Sequence, residues 1–195
     1  MTDESSSIQK RQSGVFLSGK YVNLTVLTET DVFESNWYDW FNDSETTMFT
    51  QHGYFPNSRE MQLAFFQNEV KSSRTRLQLG IRDVSGGPIV GVVSLQNVDH
   101  LHRKAEIAGV IGEKKYRQVK YLVEACNLII AHGFRGLNLH RIYGGTMIDE
   151  VAELMCRSMH FKREGTLRKD VFKNGEYMDI HLIGLLKEEW EKYHI

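Results

Sequence analysis

Glu106-Ile107-Ala108-Gly109-Val110-Ile111-Gly112-Glu113-Lys114-Lys115-Tyr116-Arg117-Gln118-Val119-Lys120-Tyr121-Leu122-Val123-Glu124-Ala125 is the stretch that decides the fold. It closes a strand pattern, Lys104 to Ile111, at Gly112. It then opens a helical one, Tyr121 to Phe134, with Leu122, Ala125, Leu128, Ile129 and His132 at helical spacing. A strand that runs through a loop into a helix aims free backbone N–H groups and the positive end of the helix dipole at one point. Such a point suits a phosphate. Lys114, Lys115, Arg117 and Lys120 stand in this loop against the single acid Glu113, so a diphosphate could be neutralised there. Judged on charge pattern alone, a solvated run at a helix start is the commoner reading.

Working outward, Tyr21 to Val26 alternates as a strand, and Thr28, Thr30 and Asp31 offer N-cap chemistry to a helix carrying Val32, Phe33, Trp37, Trp40 and Phe41. Ser58 opens a second helix with Leu63, Phe65, Phe66 and Val70. Leu77–Arg82 and Pro88–Val98 read as an antiparallel pair joined through Gly86-Gly87. Past the central stretch come a strand from His140 to Thr146, a helix from Asp149 to Met159, and strands from Phe161 to Phe172 and Tyr177 to Leu186. Asn174-Gly175 between the last two is a type I′ hairpin signal, and Lys187 to Tyr193 is a short charged helix. The expected architecture is α/β (α+β): a mixed, mostly antiparallel sheet of about seven strands flanked by helices. Residues 1–18, polar and rich in Ser and Gln, read as a flexible arm before a single domain over 19–195.

Hydrophobic residues at 41% and charged residues at 25% are ordinary for a globular chain. A net charge of -1 with a pI near 6.7 argues against a nucleic-acid partner, which calls for a basic surface. The two cysteines, Cys126 and Cys156, lie in apolar segments without ligand spacing, so neither a metal site nor a disulfide is expected. No apolar run approaches a membrane span, and the first residues lack the apolar core of a signal peptide; a cytoplasmic protein is the expectation.

From Tyr21 to Trp190 the chain resembles the GNAT N-acetyltransferases, in particular the RimJ/RimL-type and aminosugar acetyltransferase branch. The resemblance rests on Trp40-Phe41-Asn42-Asp43-Ser44-Glu45, Ala105-Glu106-Ile107, Ile111 to Arg117, Glu124-Ala125, His132-Gly133-Phe134 with Leu137 to Ile142, Phe161 to Arg168, and Asn174-Gly175-Glu176-Tyr177 with Asp179. Each is weak singly; in this order and spacing they are specific for the fold. The resemblance implies that a primary amine attacks the thioester of acetyl-CoA directly, in a ternary complex and without metal. It implies a strand bulge that splays the sheet to accept the pantetheine arm, placed here at Ala108-Gly109-Val110. Val110, Ile111, Arg117, Gln118, Val119, Lys120, Tyr121, Leu122 and Asp149 then become the cofactor-binding candidates, and Trp40, Asn42 and Tyr54 the acceptor-binding ones. A small-molecule amine, an amino sugar ahead of a protein N-terminus, is the implied partner, and a homodimer is left open.

The chain departs from the family pattern where it matters. Lys120 and Leu122 stand at the two glycine positions of the diphosphate loop, Gln118 where many relatives have another glycine, Asp149 where they have Asn, Cys156 where a Tyr protonates the departing thiolate, and His160 in place of a Gly. Glu106 is read as the general base, an ion pair with Arg103 or Lys104 being the structural alternative. Cys156 has a suitable ordinary pKa for a general acid, although a buried helical cysteine is more often packing. Asp149 beside an anionic cofactor would be unfavourable unless it faces away or pairs with a Lys. Core packing competes with the substrate role for Trp40, and the loop imidazoles His52, His100 and His102 take no role. The alternative function is a catalytically lapsed GNAT-fold binding or regulatory protein.

Overall fold

The computed structural model describes residues 14–48 and 50–194. Eight strands form one sheet: β1 (Val15–Ser18), β2 (Val22–Val26), β3 (Leu77–Asp83), β4 (Gly91–Asp99), β5 (Lys104–Ile111), β6 (Arg141–Thr146), β7 (Lys162–Lys173) and β8 (Glu176–Leu186). Their order is β1-β2-β3-β4-β5-β6-β8-β7, and β5–β6 is the one parallel pair between antiparallel neighbours. The helices are α1 (Glu29–Glu34), α2 (Trp37–Trp40), α3 (Ser44–Thr47), α4 (Arg59–Phe65), α5 (Val119–Arg135), α6 (Asp149–Met159) and α7 (Lys187–Glu191).

The mixed sheet flanked by helices is as expected, with eight strands where about seven were counted. Val15–Ser18, expected within a flexible arm, forms the edge strand β1, with Val15 and Leu17 half-buried and Phe16 and Ser18 outward. Its four residues alternate, but the polar composition around them masks the pattern. The rest of the expected arm, residues 1–13, lies outside the described residues.

The single helix expected from Thr28 to Phe41 is broken in two. Ser35 donates its hydroxyl to the Asp31 carbonyl at 2.5 Å and accepts from Trp37 N–H at 3.2 Å, so its side chain replaces helical backbone bonds and turns the chain between α1 and α2. At the start of α1 the Thr28 N–H and hydroxyl both donate to Asp31, and Ser58 caps α4 by accepting from Met61 N–H. Beyond α4 the chain continues as a π-helical turn, Phe66–Val70.

The sheet separates two apolar layers. On one face α5 buries Ala125, Ile129, Ile130 and Phe134 against Val93, Leu95, Ala105, Ile107 and Ile142. On the other, α1, α2 and the π-helical turn after α4 pack Val32, Trp37, Trp40 and Phe66 over Ile89 and Val92. Because side chains alternate along a strand, Ala105, Ile107 and Ile111 point to the α5 layer, and Glu106, Ala108 and Val110 point towards α1–α4. That alternation sets up the site.

Candidate functional site

β5 and β6 pair over three residues, Lys104, Ala105 and Glu106 against Arg141, Ile142 and Tyr143. Beyond that point β5 stays with β4 while β6 continues with β8 as far as Thr146 opposite His181. The two strands therefore part, and a wedge opens between 107–111 and 144–146, bordered on the β6 side by Gly144 and Gly145. Among the described residues the β5 backbone on this side has no strand partner. Val110 and Ile111 border the wedge through that backbone, since the Ile111 side chain is buried and Val110 packs towards α1–α4.

The bulge expected at Ala108-Gly109-Val110 is absent. The β4–β5 register runs without a break from Gly91 opposite Ile111 to Gln96 opposite Glu106, and the irregularity falls between Gln96 and Asp99, where Asn97 has φ +52°. Gly109 serves packing instead: a Cβ there would stand 3.1 Å from Leu122 Cδ1, so the missing side chain lets α5 lie close to β5. Leu122, expected in the phosphate loop, is thus a core-contacting residue in the first turn of α5.

Glu106 sits at the closed end of the wedge, facing the α1–α4 side. Neither expected cation holds it. Its carboxylate accepts from Asn97 Nδ2 at 2.8 Å, while Arg103 donates to Asn138 across the turn. Directly opposite on β6 stands Tyr143, which no motif in the sequence marks, because only strand register reveals the neighbour. Burial, and after it the Glu106 charge, pushes the Tyr143 phenol above its ordinary range. A carboxylate and a phenol at a site where two strands part can accept a proton and orient an amine.

The loop after β5 differs from a glycine-rich cradle. It forms a 3-10 turn, Lys114–Tyr116, in which the N–H groups of Tyr116, Arg117 and Gln118 donate to Glu113, Lys114 and Tyr116, and Tyr121 N–H returns to Gln118. Val119 and Lys120 remain, whose N–H groups, at the first positions of α5, precede any intrahelical acceptor. Gln118 and Val119 are exposed; Tyr121 packs its ring on Tyr116, and the Lys120 ammonium lies 5.1 Å and 5.0 Å from the ring centres of Tyr21 and Tyr121.

Arg117 is already engaged. Its guanidinium donates to Asp43 at 3.0 Å, Thr46 Oγ1 at 2.6 Å, the Gly112 carbonyl at 3.1 Å and Glu45 at 3.4 Å, and Lys114 pairs with Glu45 at 2.6 Å. The Thr46 hydroxyl first, and Arg117 second, hold the Asp43 carboxyl down at about 2.

Asp149 turns away from the conflict foreseen for it: Arg163, rather than a lysine, donates to it at 2.6 Å and is the main cause of its lowered pKa, with His181 Nδ1 at 3.6 Å. Cys156 rests against the α5 layer, and burial raises its thiol, which Arg163 opposes more weakly.

The acceptor candidates divide. Trp40 is 4% exposed, its indole N–H donates to Glu113 at 3.0 Å, and its ring lies so close to Gly112 that a Cβ there would collide with it. Its place is in the packing. Asn42 braces the loop ahead of α4, donating to the Asn57 carbonyl at 2.9 Å and accepting from Asn57 N–H at 2.7 Å. Tyr54 is exposed and donates its hydroxyl to the Phe172 carbonyl at 2.9 Å, with the Lys173 ammonium 4.3 Å from its ring centre. Asn42 and Tyr54 thus shape the loops beside the sheet. Among the described residues no cluster of His, Cys, Asp and Glu could hold a metal ion, and no helix is long and apolar enough to cross a membrane.

The profile of the acetyltransferase (GNAT) domain matches residues 22–154. The chain belongs to the GNAT acetyltransferase family. This GNAT chain is 32% identical over 106 residues to YdaF of Bacillus subtilis (strain 168), provisionally named a ribosomal N-acetyltransferase, an alignment covering 54% of this chain and 57% of that protein. It is 29% identical over 111 residues to the spermidine N(1)-acetyltransferase of Escherichia coli (strain K12), covering 55% and 58%. The alignments thus span little more than half of each relative's length. In fold it is similar to the crystal structure of spermidine N-acetyltransferase from Vibrio cholerae in complex with CoA and spermine, with a TM-score of 0.77 at 19% identity, covering 89% of this chain and 99% of that one.

Proposed function

We propose that this GNAT transfers the acetyl group of acetyl-CoA to a small primary amine. The observation that carries the reading is the wedge: β5 and β6 separate immediately after Glu106 and Tyr143, leaving unpaired β5 backbone beside a carboxylate. The residues present fit an acyl-CoA in part. The wedge edge 107–111 would hold the pantetheine arm by its backbone, and Val119 N–H, Lys120 N–H and the loop cations would meet the diphosphate. Acetyl-CoA supplies the activated acetyl group: as the amine nitrogen bonds the acetyl carbon the C–S bond would break, and CoA would leave as the thiolate and take up the nitrogen's second proton. Glu106 would take the proton of the acceptor ammonium, its second oxygen held by Asn97, and Tyr143 would orient the amine. An amino sugar, a polyamine or a protein N-terminus each presents such an amine, and the spermidine enzymes among the relatives support the small-amine class.

A lapsed, cofactor-poor protein is the second reading, favoured by one observation: the loop N–H groups that a glycine-rich cradle would offer are spent within the 3-10 turn. Calorimetry with acetyl-CoA and with desulfo-CoA, followed by acetylation assays on a panel of primary amines, separates the two. Binding of both ligands with acetyl transfer is expected; binding of neither removes the enzyme reading.

A further inference from the structure

Arg117 stands at the loop position from which a diphosphate would be met, yet oxygen atoms from α3 and its cap already surround it. Asp43 and Thr46 take one guanidinium nitrogen, Glu45 reaches the other, and Glu45 also takes the Lys114 ammonium. Two carboxylates and a hydroxyl on a guanidinium and an ammonium reproduce the acceptor set of a diphosphate. We infer that Asp43 and Glu45 occupy Arg117 and Lys114 in place of a diphosphate, and so set the affinity of this loop for one. The inference rests on the acyl-CoA reading of the loop.

The clamp is built to be displaced. The side chains of Arg117 and Asp43 keep 28% and 30% of their surface in solvent, and those of Lys114 and Glu45 keep 64% and 59%. Exposed pairs of this kind are weak and screened by salt. A diphosphate brings more charge than either carboxylate and competes for the same donors.

The competing arrangement is one in which the carboxylates merely hold Arg117 in the right place for phosphate. The two give opposite signs. Calorimetric titration of the full chain with inorganic pyrophosphate and with CoA, at low and at high salt, decides between them. If the carboxylates compete, Glu45→Gln tightens pyrophosphate binding by roughly two- to fivefold at low salt, and the gain vanishes at about 1 M salt. Asp43→Asn changes in the same direction but also lowers the unfolding midpoint, since Asp43 caps α3 by accepting from Thr46 N–H at 3.1 Å. Glu45→Gln leaves that cap intact. Unchanged, weaker or undetectable pyrophosphate binding in Glu45→Gln overturns the inference. The acyl-CoA reading fails separately, if pyrophosphate binds and CoA does not.

Discussion

The Asp149 carboxylate is held by the Arg163 guanidinium at 2.6 Å, so the acid that opens α6 is drawn towards β7. Without that partner the same carboxylate keeps only His181, 3.6 Å away, and leaves a negative charge at the helix start, where the resemblance puts an uncharged contact to an anionic cofactor. Arg163→Gln should therefore weaken desulfo-CoA binding severalfold, and adding Asp149→Asn should restore most of it. Calorimetry of both single variants and the double variant measures the coupling; strictly additive losses would mean the pair does not shield the site.

Glu106 accepts one bond from Asn97 and faces the α1–α4 side, away from the α5 core. Replacing it with Gln keeps shape and removes basicity. Turnover should fall by roughly 10²-fold or more while the dissociation constant of CoA changes little. A parallel loss of cofactor affinity would assign Glu106 to the support of the wedge instead.

Three consecutive backbone donors, Lys20, Tyr21 and Val22, converge on Glu124 of α5 at 2.8, 2.7 and 2.8 Å. Glu124→Ala strands the partly shielded Tyr21 and Val22 donors, Lys20 being exposed, and should cost about 2 kcal/mol in urea unfolding. Glu124→Gln retains one acceptor oxygen and should recover part of that. A change below about 0.5 kcal/mol for Ala would show that water replaces the carboxylate.

Cys126 is buried, and burial pushes its thiol up to about 12. Its folded pKa lies above the unfolded one, so its contribution to stability is complete below about pH 8.5 and is lost as pH rises towards 12. Of the stability lost between pH 7 and pH 10, roughly 2 kcal/mol should disappear in Cys126→Ala. Equal pH dependence in the two proteins would contradict the burial. A thiol reagent at neutral pH should modify the half-buried Cys156 in the folded chain and reach Cys126 on unfolding.

Elements whose signals are local are legible in the amino-acid sequence. Asn174 and Gly175 have φ of +52° and +88°, as a type I′ turn requires, and α6 spans Asp149–Met159 as its spacing predicts. The α1–α2 break is not legible, because Ser35 acts through its hydroxyl bond to Asp31 rather than through a helix-breaking propensity. Among the site residues, Glu106 is marked by its strand and Arg117 by its loop, while Tyr143 needs the β5–β6 register and the Arg117 clamp needs α3 in place.

By itself the sequence determined most of the strands and helices, β1 and the α1–α2 break excepted, and the strand-loop-helix at 104–135. Those follow from residues a few positions apart and from alternation against helical period. The tertiary structure alone decided where β5 leaves β6, and that Arg117 meets Asp43, 74 residues away, instead of standing free. A guanidinium can pair with any of the chain's many carboxylates, and nothing local ranks them. Packing does: α2 against the Gly112 backbone brings the Asp43 cap to Arg117, and the sheet's own twist and pairing set where the wedge opens.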